Sequence, residues 1–180
     1  MTKLWCKNYS PGHYTKAHVV DFDALSGLFV LGGESLKGKF PEVTIAIDSR
    51  HPPTDYFGAG SLFVVSKPVK RLFDEFGVYV EYFPLRVEYR RKPYTDQEFF
   101  FVNILDEVDC LDREHAEYRT KYAPHSARAS SIQKLVIDEA KARGHHLFLL
   151  GNCSPRVICV SDELAARVEQ GAFRGMRCQE

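Results

Sequence analysis

Between residues 43 and 105 the apolar positions recur mainly at every second residue. Val43, Ile45 and Ile47 alternate with Thr44 and Ala46, so that one face of an extended segment is apolar. Over Val78–Leu85, Val78, Val80 and Tyr82 alternate with Tyr79, Glu81 and Phe83, again with the period of a strand. Phe99–Leu105 is apolar almost throughout and reads as a more deeply buried strand. One segment changes period. Val69, Leu72, Phe73 and Phe76 fall at i, i+3, i+4 and i+7, which predicts a helix with one apolar stripe. Ser66 stands at its N-cap position, Pro68 suits its first turn, and Gly77 can take the left-handed conformation that ends it.

The same order returns near the C-terminus. Residues 156–160 (RVICV) predict a strand, Ser161 a cap, and Asp162–Gln170 a short helix stopped at Gly171, with Asp162 and Glu163 at its positive end. The stretches SLFVVSKPVKRLFDEFG and RVICVSDELAARVEQG are thus two strand–cap–helix units of one design. A final strand is predicted around Phe173–Cys178. Ile132–Ala142 carries both patterns: Ile132, Leu135, Val136 and Ala140 make a helical face, while residues 135–137 are a strand-like run, and we read it as a strand and turn before Gly144. Loop-like clusters fall at Ser10–His13, Gly32–Gly38, Ser49–Asp55, Arg90–Asp96 and Gly151–Pro155. Together these predict an α+β fold over 1–180, one domain of mostly antiparallel or mixed β-sheet with a few short helices. Two similar units are too few for a solenoid.

Composition adds limits. With 180 residues, 44% apolar and 27% charged, the chain suits one globular core. Lys plus Arg equals Asp plus Glu, so no overall field draws it to nucleic acid or to an anionic membrane. The start, MTKLWCKNYSPGHY, has no apolar core of a signal peptide, and the longest apolar runs are too short to span a bilayer. Five cysteines without a C-x-x-C pair fit reduced thiols in a cytoplasm.

Several stretches approach known chemistry. In FVLGGESLKGKF, Gly33, Gly38 and Lys39 fit the start of the phosphate-binding G-x-x-x-x-G-K-[ST] signature. Phe40 stands where the magnesium-binding hydroxyl belongs, Pro41 follows, and a strand pattern replaces the helix that would face a phosphate, so a connecting loop is the better reading. Cys110 with His115, or Cys153 with His145 and His146, could form a nucleophile–base pair if the fold gathered them. Cys110 and Cys159 lie in apolar runs that suit core packing, and Cys6, His13 and His18 lack a metal-ligand spacing. The acidic segment holding Asp106, Glu107, Asp109, Asp112 and Glu114 could bind a cation or supply an acid–base pair, yet lacks the central glycine and terminal glutamate of a calcium loop. The solvated reading has Val108, Cys110 and Leu111 on its apolar side. RVEYRRKPY, with Arg90 and Arg91, mixes cations and aromatics as single-strand nucleic-acid binders do, and equally as a charged strand edge does.

The order PPTDYFGAGSLFVVSKPVKRLFDEFGVYVEYFPLRV, FFFVNILDEVDCLDREHAEY and HLFLLGNCSPRVICVSDELAARVEQGAFRGMRC resembles a family of bacterial immunity proteins that accompany polymorphic toxins and were formerly classed as a domain of unknown function. The resemblance covers about residues 28–178 and leaves 1–27 unplaced; Arg113 and then residues 114–116 stand where the family often carries a tryptophan and a serine. It implies a soluble, non-catalytic protein that binds and neutralises a toxin by occlusion; with the composition above, the expectation is a cytoplasmic protein with no catalytic residue, metal or cofactor, and with neither nucleic acid nor membrane as partner. Two surfaces are candidates for the toxin: the acidic segment, preferred because many toxins are basic nucleases, and the Arg90/Arg91 edge. An unpaired strand edge could also join two copies as a homodimer. The competing functions are a hydrolase-like enzyme using a Cys/His/carboxylate cluster and an adaptor of a secretion system.

Overall fold

A computed structural model describes residues 2–7, 15–28, 33–120, 128–154 and 156–179. Among these residues, fourteen strands and three α-helices follow in chain order: β1 (Lys3–Lys7), β2 (Ala17–Val19), β3 (Thr44–Ile47), β4 (Tyr56–Ala59), β5 (Leu62–Ser66), α1 (Lys67–Glu75), β6 (Val80–Tyr89), β7 (Lys92–Pro93), β8 (Phe99–Ile104), β9 (Glu107–Val108), β10 (Glu117–Thr120), β11 (Ala129–Lys134), α2 (Glu139–Ala142), β12 (Leu147–Leu150), β13 (Ile158–Val160), α3 (Asp162–Gln170) and β14 (Met176–Gln179). The α+β expectation holds, and the sheets are mixed.

The central element is a barrel. Its strands run β3-β2-β4-β5-β8-β6, and β6 returns to β3 in parallel register, Thr44 opposite Arg86 through Ile47 opposite Tyr89. The ring therefore closes, which removes the free edges that an open sheet would leave. Period two now has a physical meaning. Leu62 and Val64 of β5, and Phe99 and Phe101 of β8, fill the barrel with Ile45, Ile47 and Phe57. Phe63 and Val65, and Val102 and Ile104, point to the opposite side and pack in a second core. Both faces of β5 and β8 are covered, so the two strands read as continuous apolar runs.

That second core joins the barrel wall to a five-stranded sheet, β14-β1-β13-β12-β9. Helices α1 and α3 contribute Val69, Leu72 and Phe73, and Leu164, Ala165 and Val168, to it. β12 is likewise buried on both faces: Leu147 and Leu149 face the barrel side, while Phe148 and Leu150 enter a third core with Cys110, Cys153 and Cys159, against which Tyr118 and Ile132 of the β10–β11 hairpin pack.

The two strand–cap–helix units are present, and differ in their caps. The Ser161 hydroxyl accepts a hydrogen bond from the Leu164 amide at 3.2 Å, a true N-cap. Ser66 occupies the same position on α1 but makes no side-chain cap; its hydroxyl donates to Asp55 Oδ1 at 3.0 Å. The other Asp55 oxygen accepts from the Arg174 amide at 2.9 Å, so this carboxylate ties the barrel to the chain entering β14. At that junction Gly175 has φ +85°, and a Cβ there would lie 2.3 Å from the Tyr56 carbonyl oxygen, which only glycine avoids.

Other expectations shift at their boundaries. Gly77 has the left-handed conformation expected of it, at φ +60°. The strand read as Val78–Leu85 runs instead from Val80 to Tyr89, and the final strand is Met176–Gln179. Ile132–Ala142 divides: β11 ends at Lys134, Ile137 makes an isolated bridge to Leu111, and Glu139–Ala142 is a short helix capped by Asp138. Among the described residues, no helix is long and apolar enough to cross a membrane.

Candidate functional site: the two ends of the barrel

The glycine-rich stretch serves the barrel. Residues 29–32 lie outside the described part, but Gly33–Phe40 crosses one barrel end. Leu36 is buried, and the Phe40 ring lies 4.6 Å from Phe83 and 5.0 Å from Phe101. Glu81 anchors this plug: its carboxylate accepts from the Leu36 amide at 2.8 Å, from the Ser35 hydroxyl, and from Asn103 Nδ2 at 3.1 Å. Asn103, fully buried, also donates to the Glu34 carbonyl at 2.8 Å. Burial pushes the Glu81 carboxyl up, but the bonds from Ser35, Leu36 and Asn103, with Lys37 nearby, outweigh it and hold the group below its ordinary value. Gly38 and Lys39 sit in a turn ahead of β3, with no helix to face an anion.

The acidic segment leaves this same end of the barrel from β8, and nearly all of its charge is paired within the fold. Asp106 bonds to His145 Nδ1 at 2.7 Å, and Glu107 to Arg156 at 2.6 Å. Asp109 accepts from Asn152 at 2.7 Å and approaches Arg113 at 3.5 Å. Asp112 accepts from the Glu114 and His115 amides and meets His115 Nδ1 at 2.8 Å. The His115 bond, with those two amides, holds the Asp112 carboxyl below its ordinary value against a smaller opposing effect of burial. Asp109, Asp112 and Glu114 line a cleft of ≈ 410 Å³ with Arg113, Asp138 and Lys141. There Lys141 pairs with Asp138 at 3.3 Å, and Glu114 is exposed. Among the described residues, no three His, Cys, Asp or Glu side chains are gathered as a metal would require.

The opposite barrel end carries the other candidates. Strand β6 is ten residues long and runs from the plug to the β6–β7 hairpin, so the two ends lie roughly 30 Å apart by strand rise. Tyr89 pairs with Lys92, which leaves Arg90 and Arg91 as a two-residue turn. Both have positive φ, +52° and +61°, as the tight hairpin turn that matches strand twist demands. Asn-Gly or Asp-Gly is the usual occupant, because a Cβ in this conformation crowds the following carbonyl at about 1–2 kcal/mol per residue, a cost that glycine escapes and that Asn or Asp offsets by local hydrogen bonding. Arg90 is braced from behind: it donates to the Arg50 carbonyl at 3.0 Å and lies 5.1 Å from the Tyr89 ring centre, while Tyr89 Oη donates to the same carbonyl at 2.8 Å. Beside the turn is a groove of ≈ 820 Å³ lined by residues including Pro84, Arg86, Glu88, Pro93, Tyr94 and Phe100.

The nucleophile–base pairings of the sequence are replaced by other contacts. His145 and His115 sit against carboxylates, and Cys153 Sγ donates to the Leu150 carbonyl. Burial pushes the Cys110 thiol up to about 12 and raises Cys153 and Cys159 too, away from the thiolate that a nucleophile needs. His146 Nδ1 meets Ser161 Oγ at 2.9 Å and Glu163 at 3.5 Å. Both partners sit on one nitrogen, whereas a proton relay needs them on opposite nitrogens, and the hydroxyl already caps α3. Cys6 has no described side chain and His13 lies outside the described residues, while His18 pairs with Asp48 at 3.2 Å.

Sequence reasoning named both candidate surfaces but missed the turn conformation, the Glu81–Asn103 plug and the Asp55 tie. No curated protein matches the chain. The sequence profile described as "Immunity protein family (Imm11)" matches residues 12–180, reaching into the N-terminal part left unplaced by motif reading and including β2 of the barrel. The chain belongs to the Imm11 immunity protein family.

Proposed function

We propose that the protein binds and neutralises a cognate bacterial toxin by occlusion, without chemistry of its own. The observation that carries this reading is the family match over residues 12–180. The side chains agree with it: the imidazoles of His115 and His145 are held by carboxylates, and the core thiols are kept protonated. Steric occlusion asks for a rigid scaffold and a surface on the order of 1,200–2,000 Å² in the complex, with a few aromatic or arginine anchors. A closed barrel packed on a sheet is such a scaffold.

The test is co-expression with the toxin domain encoded beside this gene. Growth rescue together with co-purification of the two chains is expected. Rescue without a stable complex would contradict occlusion and favour an enzyme that reverses the toxin's damage.

A further inference from the structure

Resting on that reading, we propose that the β6–β7 hairpin and its groove are the toxin-docking surface, and that they take an extended acidic segment of the toxin carrying an apolar side chain. Three observations converge. First, Arg90 and Arg91 occupy turn positions that disfavour them, at φ +52° and +61°. Strain of this kind persists where the surrounding structure imposes it and concentrates at sites that bind. Here its effect is to hold two guanidinium groups at the tip of a short hairpin, with Lys92 next in line.

Second, the charge at this end is available. Among the described residues no carboxylate forms an ion pair with Arg90, Arg91 or Lys92, and Arg90 is oriented by a carbonyl and a ring, which leave its charge unneutralised. The carboxylates of 106–112 are instead engaged by His145, Arg156, Asn152, Arg113 and His115. A partner recruiting those acids would have to break contacts of the fold, whereas one approaching the hairpin meets cations with only water to displace.

Third, the surface has two chemistries side by side. Pro84, Pro93, Tyr94 and Phe100 give the groove an apolar lining; Arg86 within it is paired with Glu42 at 2.8 Å, and the three cations of the hairpin follow in the chain between its lining residues Glu88 and Pro93. Arginine and tyrosine anchors beside a concave apolar patch are the usual composition of an energetic centre in a protein interface. Glu88 and Glu98 also line the groove, and Glu98 is paired with Lys67 at 2.6 Å. An acidic ligand segment therefore places its carboxylates towards the tip and its apolar side chain deeper along the groove.

The experiment compares three full-length proteins against the toxin domain encoded beside the gene: wild type, the double variant Arg90→Asn/Arg91→Gly, and Glu107→Gln/Asp109→Asn. Asn-Gly suits the turn, so the first variant folds at least as well as wild type, with a Tm higher by about 2–4 °C. Its affinity for the toxin should fall by about 30-fold or more, with a weaker salt dependence. The acidic-segment variant should keep wild-type affinity. Undiminished toxin binding by the Asn-Gly variant overturns this assignment and leaves occlusion standing. Wild type that neither binds nor protects overturns occlusion itself, and the docking surface with it. Loss of single-stranded oligonucleotide binding in the Asn-Gly variant, with the toxin complex intact, would assign the hairpin to nucleic acid and likewise overturn the proposal.

Discussion

The two ends of β6 carry opposite charges and treat them in opposite ways. At the plug end, four acidic side chains following β8 are bonded to residues of the segments just before and after β12 and of their own turn. At the hairpin end, Arg90, Arg91 and Lys92 form no ion pair with a carboxylate among the described residues, and two of them are in a conformation that costs folding free energy. Charge paired inside a fold supports the fold. Charge held out at a cost to the fold is open to something outside it. Counting acids or bases along the chain cannot tell these apart, which is why the acidic segment looks the stronger candidate in the sequence and the hairpin in the structure.

The largest effect belongs to the strand both ends depend on. Phe101 is fully buried in the barrel, and Phe101→Ala should cost about 3–5 kcal/mol in a denaturant titration, a large share of the stability of a domain this size. Both surfaces should be lost together. Loss of one alone would mean that the ends are built independently.

Next is the hairpin. Arg90→Asn/Arg91→Gly should raise stability by about 1 kcal/mol, because it relieves two left-handed arginines. A loss measured by the same titration would show that these side chains support the fold after all. At the acidic end the sign reverses. A double-mutant cycle on Glu107 and Arg156, partly exposed at 2.6 Å, should give a coupling of about 0.5–1 kcal/mol in favour of folding. Zero coupling would free Glu107 for a partner.

The smallest effect is the dependence on pH, and it too belongs to the plug end. Glu81 and Asp112 both have native carboxyls held below their ordinary values of 4.5 and 3.8. The sign follows from linkage: the stability they confer is present in full above those values and is lost as pH falls through the lowered native ones. Glu81→Gln and Asp112→Asn should therefore flatten the fall of Tm with acid below about pH 4.5 and about pH 3.8 respectively, whereas the hairpin variant's curve should stay parallel to wild type. A wild-type curve in either single variant would remove that residue from the account.

Much of the fold was legible from periodicity, because covered faces impose apolar residues at fixed spacing. β3, β8, α1 and α3 follow directly from Val43–Ile47, Phe99–Leu105, Val69–Phe76 and Asp162–Gln170. Closure of the barrel was not legible. Its two parallel contacts, β2 with β4 and β3 with β6, join segments that are not consecutive strands in the chain, and a period of two reveals which face is covered but never by which partner. The caps show the same gap. Ser66 and Ser161 look alike in sequence, and only the approach of Asp55 takes the first hydroxyl away from its helix. Likewise the partners of Asp106, Glu107 and Asp109 are about forty residues or more downstream. The Arg-Arg turn lacks the Asn-Gly signal of its conformation. One clue was present: the alternation continues past Leu85 through Val87 and Tyr89, which carries the strand up to the arginines.

Occlusion itself has one direct test. The toxin domain's own activity is measured while this protein is added in known amounts. Activity should fall in proportion to the added protein and vanish near equimolar mixing, with the complex recovered intact afterwards. Full protection by a small fraction of an equivalent, with no complex recovered, would mean that the protein turns over and that its surface is not what disarms the toxin.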